Sequence, residues 1–477
     1  MALKTPNRYQ LTLLPESIED YVAKDDPVRA YDAMIDAINL DSIGLRVGPN
    51  NVGNPPYDPA SMLKLLVYGY AYGWRSSRKL ERAVFHNLSF IWLVGGLKPD
   101  HKTISNFRKN NKKALKKVFK QIARICLDLN LIEGNCLFVD GTKIRANASI
   151  NQTKSLKRWK ALLSDVDKRI DRILEEAEKV DAEESGSESL IKLSGELKDA
   201  KRLKAKIASL VEEARVKDLA KINGTDTDAV NVKGRQGAHA GFNAQIVVDA
   251  KNGLIASSDV TQDSNDREQF STQINQAIDT LGKKPKWAVG DAGYSNVDDL
   301  KKIDTQEVDV IVPNQKQAEK KPKDEPFGKD KFGYDAERDE YICPVGERMY
   351  NSYFSKGKKQ WKYRMKRSGA CGECRHFGVC TTAKRGRTIS RLENEELKVR
   401  LEARYESESG QAVYKQRKEK VELPFGHLKR TLNGGAFLTR GIEAVKAEFS
   451  IFASCFNIAR MITLLGGVEG MIKAIRV

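Results

Sequence analysis

Three carboxylates stand in sequence contexts that suit the binding of divalent metal ions. Asp140 ends the apolar run 137–139, Asp291 follows the run 287–290, and Glu422 lies among basic residues in the segment 414–430. Three such acids can hold two Mg²⁺ ions, one of which activates an attacking oxygen while the other stabilises a leaving oxygen in phosphodiester chemistry. A single aspartate in such a place is more often a cap or turn residue, so the prediction depends on the three acids together.

Short strands are predicted to position the two aspartates. The apolar runs indicate strands at 135–140 and 286–289, and the last side chain of such a strand lies at the edge of an α/β sheet, where these sheets place their sites. A small residue follows each acid, Gly141 in one case and Ala292 with Gly293 in the other. We expect these small residues to let a substrate or metal approach.

A later helical segment is predicted to carry the glutamate. Helical spacing would bring Tyr414, Lys418, Glu422, Phe425 and Lys429 to one face. Pro424 is incompatible with an undisturbed helix, so a kink or a helix start is expected near Glu422. Glu419, one turn earlier, is a rival acid.

Composition favours a polyanionic partner. The 477-residue chain has a formal net charge of +18, and the charge is clustered, with ten Lys and Arg but only one acid in 98–124. Residues 351–400 carry fourteen basic residues and four acids. Strongly basic proteins usually meet nucleic acid or an anionic membrane surface. No run of about 20 apolar residues and no signal-peptide core stand out, so a cytoplasmic protein is expected.

The order of elements predicts an α/β protein of several domains. We expect a helical N-terminal DNA-binding domain at 1–131 and the first part of a mixed-sheet core at 132–313. A basic Cys-containing insertion at 314–405 and a C-terminal part of the core at 406–477 would follow. Within the core, 154–221 repeats apolar residues in 4-3 steps on both sides of a turn at 184–189, which predicts an antiparallel helical hairpin. That hairpin is either a solvated structural arm or a DNA-binding or dimerising element.

The region after the turn at Gly95 and Gly96 predicts a basic helix from about residue 101. A short helix, a turn and a basic helix resemble a helix-turn-helix arrangement, and the alternative is a basic solvated helix of a bundle. Candidate DNA contacts on this helix are Lys102, Arg108, Lys109, Lys112 and Lys113.

Four late cysteines form a candidate structural zinc site. Cys371 and Cys374 make a CxxC pair, with Cys343 before it and Cys380 after it. Such a set in a cytosolic, basic context favours tetrahedral Zn²⁺, with His376 able to replace one cysteine. The alternative is four reduced thiols without a metal.

Taken in order, several short motifs resemble the DDE transposases of bacterial insertion sequences. The matching residues lie in the segments 139–142, 241–249, 265–266, 290–294 and 421–429. The resemblance covers nearly the whole chain and implies a ribonuclease-H-like catalytic core with Asp140, Asp291 and Glu422 as the catalytic, metal-binding acids. It also implies two Mg²⁺ or Mn²⁺ ions, and double-stranded DNA as partner, namely terminal inverted repeats and target DNA. A homodimer is expected in the DNA complex, in a bacterial cytoplasm and associated with the nucleoid when DNA-bound.

The family pattern of Tyr, Arg, Glu and Lys around the glutamate is matched by Tyr414, Glu422 and Lys429. The arginine is out of register, so either Arg417 or Lys418 would contact a phosphate. The remaining candidate DNA contacts are Lys143, Arg145 and Arg430.

Two other functions remain open from the sequence. One is a non-catalytic DNA-binding regulator derived from such an enzyme, although the presence of all three acids argues against it. The other is a ribonuclease-H-like nuclease that cuts DNA without joining it.

Overall fold

A computed structural model of the protein describes residues 17–45, 57–182, 187–234, 237–319, 326–367 and 369–476. The chain divides into two compact units. The first contains residues 1–266, 272–285 and 416–477, and the second contains 267–271 and 286–415.

Helices and strands alternate along the chain after a helical start. The helices are α1 (Pro27–Asp36), α2 (Leu40–Ile43), α3 (Pro59–Ala71), α4 (Ser77–His86), α5 (Leu88–Leu93), α6 (His101–Asn110), α7 (Lys112–Asp128), α8 (Leu156–Ala182), α9 (Ser187–Val216), α10 (Phe270–Leu281), α11 (Val297–Asp304), α12 (Gln315–Ala318), α13 (Glu395–Glu406), α14 (Glu408–Gly426), α15 (Ile442–Leu464) and α16 (Val468–Ile475). The strands are β1 (Cys136–Arg145), β2 (Thr153–Ser155), β3 (Lys221–Asn223), β4 (Val230–Gly234), β5 (Gly237–Asp249), β6 (Ile255–Thr261), β7 (Trp287–Val289), β8 (Asp309–Ile311), β9 (Gly333–Asp335), β10 (Glu340–Ile342), β11 (Arg348–Ser355), β12 (Gln360–Met365) and β13 (Ile389–Leu392). The predicted α/β class and the helical N-terminal region are confirmed.

The sheet of the first unit is organised around β5. This strand pairs antiparallel with β1, β4 and β6, and its residues from Ala240 onward are buried. A short turn joins β5 to β6, and Gly253 has the positive φ of 70° that such a turn favours.

The core of the first unit forms where α15 packs against α3, α7 and β6. The sequence analysis expected no membrane-spanning run, but α15 is long and apolar enough to cross a membrane by length and composition. However, 72% of its most apolar stretch is buried inside the protein. Its apolar pattern is therefore accounted for by packing in the core. The polar side chain of Asn457 on this helix bonds to both backbone groups of Ile255 in β6.

The basic segment predicted as one helix forms two, α6 and α7. The break lies at Asn111, whose side-chain amide donates to the carbonyl of Phe107 at 2.9 Å. Asparagine competes in this way with the helical backbone bonds and favours helix ends. The turn at Gly95 and Gly96 is present, with φ values of 58° and 79°.

Helices α8 and α9 form the predicted hairpin. Trp159, Val166, Ile170 and Ile173 on α8 are buried together with Ala200, Ile207, Leu210 and Ala214 on α9. The short pair of β2 and β3 closes its base, where Trp159 Nε1 donates to Ile222 O at 3.1 Å. The predicted turn at 184–189 includes residues 184–186, which lie outside the described residues.

The second unit contains a parallel strand pair and a separate antiparallel sheet. Strands β7 and β8 pair in parallel, connected through α11. Strands β9 to β13 form a five-stranded sheet in the order β13-β12-β11-β10-β9. This sheet buries Tyr341, Met349 and Tyr363 with Cys343 on one side.

Candidate active site

Asp140 lies in the middle of β1, and not at the end of a strand as the sequence suggested. Residues 141–145 continue the ladder with β5, so that Asp140 faces Ile246 and Gly141 faces Gln245. A β-carbon at position 141 would lie 2.4 Å from Gln245 Nε2 and 2.8 Å from Asp266 Oδ1. The glycine therefore makes room for two polar side chains of the protein, and the strand continues past it without interruption.

Arg417 on α14 binds the Asp140 carboxylate. Its Nη2 donates to Asp140 Oδ1 at 2.9 Å, and the two side chains are 14% and 19% exposed. The Gly141 amide donates to the same oxygen at 2.9 Å. Of the two cations that the sequence left as alternatives, Arg417 is thus in contact with a predicted catalytic acid, whereas Lys418 is exposed.

A second contact joins the turn that follows this helix to the same strand. Lys429 Nζ donates to the hydroxyl of Thr142, two residues beyond Asp140 on β1 and therefore on the same face. Lys429 belongs to a π-helical turn, His427–Thr431, which follows α14 directly. Helix α14 starts at Glu408 and runs through Pro424, so a helix start near Glu422 is wrong.

Glu422 lies between these two contacts along the chain and is exposed. Its rival Glu419 is also exposed and has Lys420 Nζ 3.7 Å away. Arg430 is exposed in the π-helical turn. Tyr414 packs edge-on against Tyr405, with ring centroids 5.0 Å apart.

Asp291 follows β7 in the second unit, at the place that the sequence predicted. The Gly290 amide extends the parallel ladder by donating to Ile311 O at 3.1 Å. Asp291 then caps a 3₁₀ turn, Ala292–Tyr294, by accepting from the Gly293 amide at 2.8 Å. Tyr294 is buried and packs edge-on against Phe270, which anchors this turn. The carboxylate is partly exposed.

Lys143 belongs to a partly buried polar cluster around Asp266. Asp266 Oδ1 accepts from Lys143 Nζ at 3.1 Å and from the amides of Asn243 and Gln245 at 2.7 Å each. The motifs around residues 243 and 266 are visible in the sequence, but nothing in their spacing shows that they share one carboxylate. Lys143 here lies on the face of β1 opposite to Asp140.

The candidate DNA contacts of the N-terminal region differ in their surroundings. Lys102, Lys109 and Lys113 are exposed, and Lys112 is partly exposed. Arg108 donates to Tyr70 Oη at 3.3 Å and to the carbonyl of Arg75 at 3.2 Å, so its guanidinium contributes to the fold.

A buried ion pair that sequence reasoning missed supports the end of β1. The exposed Arg145 is the last residue of this strand, and its carbonyl accepts from the Phe437 amide at 2.8 Å. Arg75 Nη1 reaches Ala436 O at 2.8 Å and Glu448 Oε1 at 3.2 Å. Glu448 is 1% exposed and also accepts from both backbone amides and the hydroxyl in the segment 438–439. The signal in the sequence was an acid within the mostly apolar run 447–456.

The four late cysteines line one small cavity in the second unit. Cys343, Cys371, Cys374 and Cys380 surround a space of about 40 Å³ together with His376. Burial raises the pKa of the Cys380 thiol, Arg387 lowers it, and the other three cysteines raise it. Backbone amides approach two of the sulfurs, His376 N to Cys374 Sγ at 3.5 Å and Arg387 N to Cys371 Sγ at 3.4 Å.

Within the described part of the chain, no group of three or more His, Cys, Asp or Glu side chains is placed to hold a metal ion. The three predicted catalytic carboxylates and the four late cysteine thiols are therefore of types that bind metal ions, but they are not arranged as a ligand set.

Comparison with known proteins identifies two transposase regions. Residues 16–110 match the family described as "Transposase domain (DUF772)", and residues 219–458 match the family described as "Transposase DDE domain". A search of curated proteins finds no match. The second match takes in Asp291 and Glu422 but begins after the α8–α9 hairpin, which separates Asp140 from it. Because this match covers half of the chain, the protein belongs to the DDE transposases of the insertion-sequence type.

Proposed function

We propose that this transposase cuts DNA at the ends of its element and joins the freed 3′-hydroxyl to target DNA. Membership of the family implies DNA as the partner. The observation that carries the proposal is the docking of the Glu422-bearing helix and the turn after it onto the Asp140 strand, through Arg417 and Lys429 respectively. These contacts support the proposal because they bind the strand of one proposed catalytic acid to the helix of another.

The donor chemistry fits divalent cations. Asp140, Asp291 and Glu422 provide only carboxylate oxygens, which Mg²⁺ and Mn²⁺ prefer. Ions held there would supply charge stabilisation to the attacking and leaving oxygens. Arg417 orients the Asp140 carboxylate, and Lys429 and Arg430 provide positive charge for phosphates close to the scissile bond.

Nicking of a labelled duplex that contains an element end tests this proposal. In the presence of Mg²⁺ we expect the wild-type protein to nick, and Asp140→Ala, Asp291→Ala and Glu422→Ala each to abolish nicking. Glu419→Ala is the matched control, because this neighbouring acid is exposed on the same helix and should leave nicking unchanged. Unchanged nicking in all three alanine variants would refute the assignment.

Pre-cleaved ends separate joining from cutting. A transposase transfers the pre-cleaved 3′-end into a plasmid, whereas a nuclease that only cuts leaves it unjoined. Binding at full strength without metal, together with no nicking under any condition, would instead identify a regulator.

We further propose that the four cysteines bind one structural Zn²⁺. The clustered sulfurs and the two amides directed at them support a thiolate site, and closure of the cavity to zinc–sulfur distances of about 2.3 Å would complete it. Elemental analysis of protein purified without chelators should find one zinc per chain, and Cys374→Ser should lower this content. A zinc-free wild-type protein that retains its fold would contradict the proposal.

The DNA complex is proposed to be a homodimer on terminal inverted repeats, formed in the bacterial cytoplasm at the nucleoid. The exposed Lys102, Lys109 and Lys113 would contact phosphates of the repeat. Light scattering of the complex with one element end should give two chains per assembly, and a single chain would contradict it.

A further inference from the structure

The five-stranded sheet of the second unit carries two tyrosines on the face opposite to its core. In the ladder of β11 and β12, Tyr350 lies opposite Arg364 and Tyr353 lies opposite Lys362. Tyr363, between these two cations, is buried in the core together with Met349. Since directly opposed residues share a face and neighbours alternate, Tyr350, Tyr353, Lys362 and Arg364 lie together on the outer face.

A β-bulge makes this arrangement possible. Tyr350 and Tyr353 are three positions apart and would point to opposite faces of a regular strand. The register shifts between Asn351 and Tyr353, so that one extra residue restores the alternation and brings the second tyrosine to the outer face. The two rings remain 36% and 46% exposed.

Basic groups surround both rings. Arg364 Cζ lies 5.5 Å from the ring centroid of Tyr353, and Lys366 Nζ lies 5.6 Å from that of Tyr350. Burial lowers the pKa of Lys362, and the charges of Lys358 and Arg364 lower it further. The acid opposite Tyr350 on β10, Glu340, is paired with Arg348 at 2.6 Å.

We propose that this outer face, defined by Tyr350, Tyr353, Lys362, Arg364 and Lys366, binds an unpaired strand of DNA. Bases would stack on the two tyrosines while the three cations contact the phosphates, the combination that single-strand-binding surfaces use. A duplex hides the faces of its bases, so it would use the cations but not the rings. A protein partner is disfavoured because interface cores are depleted of lysine, whereas here each ring has a cation beside it.

The inference rests on the proposed function in one respect, since cutting an element end is what would expose an unpaired strand to this face. It deepens that function by assigning a second DNA surface outside the catalytic acids and the N-terminal helices.

Fluorescence anisotropy with the full chain tests the proposal. The protein carries Glu422→Gln so that the probes stay intact, and the probes are a labelled 20-nucleotide single strand and the duplex of the same sequence. Tyr350→Leu with Tyr353→Leu should weaken single-strand binding by at least about 10-fold through the loss of two stacking contacts, while duplex binding changes little. Tyr350→Phe with Tyr353→Phe keeps both rings and should bind like the parent.

A second variant guards against misfolding of the leucine protein. Lys366→Gln leaves the rings in place and should reduce the salt dependence of single-strand binding, because one phosphate contact is lost. The proposal is overturned if the parent does not bind the single strand, if the leucine variant binds it equally well, or if both probes weaken alike. Nicking by protein with an intact Glu422 is measured separately, so failure here leaves the catalytic proposal standing.

Discussion

Arg417 is the residue through which the candidate active site is best defined. Its guanidinium holds the Asp140 carboxylate from a helix that also carries Glu422. From the sequence, Arg417 and Lys418 were equal candidates for contact with a phosphate. Arg417 lies five residues and Lys418 four residues before Glu422, and position alone does not distinguish them. In the structure Arg417 contacts Asp140, which lies 277 positions away in the chain, and which of the two cations contacts a phosphate stays a prediction.

Replacing Arg417 should impair catalysis more than binding. A hydrogen bond to a charged group contributes about 1.5–3 kcal/mol, so Arg417→Ala should lower the nicking rate by about 10-fold or more. Arg417→Lys keeps the charge but loses the fork geometry and should recover only part of the rate. Single-turnover nicking at saturating DNA measures the effect, and a rate equal to that of Glu419→Ala would contradict it.

The Arg75–Glu448 pair should be required for stability. Both side chains are buried, and removal of one partner leaves the other charge without compensation, at a cost of about 3–5 kcal/mol. Urea unfolding of Glu448→Gln and Arg75→Met should each show this loss. Lys116→Met, which breaks the exposed pair with Glu443, is the control and should cost less than about 1 kcal/mol. Equal effects in all three variants would show that burial of the pair is unimportant.

At the scale of elements, local patterns predicted the α8–α9 hairpin and missed the π-helical turn. The hairpin follows from a repeat of apolar residues within each arm, and such periodicity is readable from the sequence alone. The turn buries Leu428 and brings Lys429 into contact with β1, and these are contacts that only the folded chain brings together. The same reason explains why the sequence did not show that β1 continues beyond Asp140, since Asp140 pairs with Ile246 in the distant strand β5.

Trp159 should be the residue on which the hairpin depends most. It is 5% exposed and joins the hairpin core to β3 through its indole. Trp159→Ala should cost about 3–5 kcal/mol, by the usual penalty for truncating a large core residue. Hydrogen exchange should accelerate in α8 and α9 before it does in β5. Leu174→Ala is the control because Leu174 is 42% exposed. If hydrogen exchange in α8 and α9 accelerated as much in Leu174→Ala as in Trp159→Ala, the prediction would be contradicted.

His427 should make the π-helical turn sensitive to acid. Burial lowers the pKa of this imidazole below its usual 6.5, and its ring packs edge-on against Phe456. The unfolded chain therefore binds the proton more readily, so stability decreases as the pH falls below about 6.5 and levels off below the lowered pKa. His427→Phe should remove this part of the acid dependence in unfolding measured between pH 7 and pH 5. An unchanged pH profile would show that the histidine does not contribute.

On the scale of the whole molecule, the sequence predicted the α/β fold class but not the contacts between distant segments. The helical start, the α/β order and the place of Asp291 after a strand were all readable from periodicity and turn residues. The role of Gly141, the cluster at Asp266 and the interactions of Arg108 were not, because each depends on side chains from distant segments. The DDE-domain match spans the positions of Asp291 and Glu422, whereas Asp140 lies before it, and the catalytic role of all three acids is a proposal.

Affinity cleavage by bound iron tests most directly whether the three acids act as one site. Fe²⁺ that replaces Mg²⁺ generates hydroxyl radicals with ascorbate and peroxide, and these cut the polypeptide close to the ion. We expect cuts near residues 140, 291 and 422 in the wild-type protein with element-end DNA, and the loss of all three in Asp140→Ala. Cuts near only one or two of these positions, or cuts that persist in the variant, would contradict it.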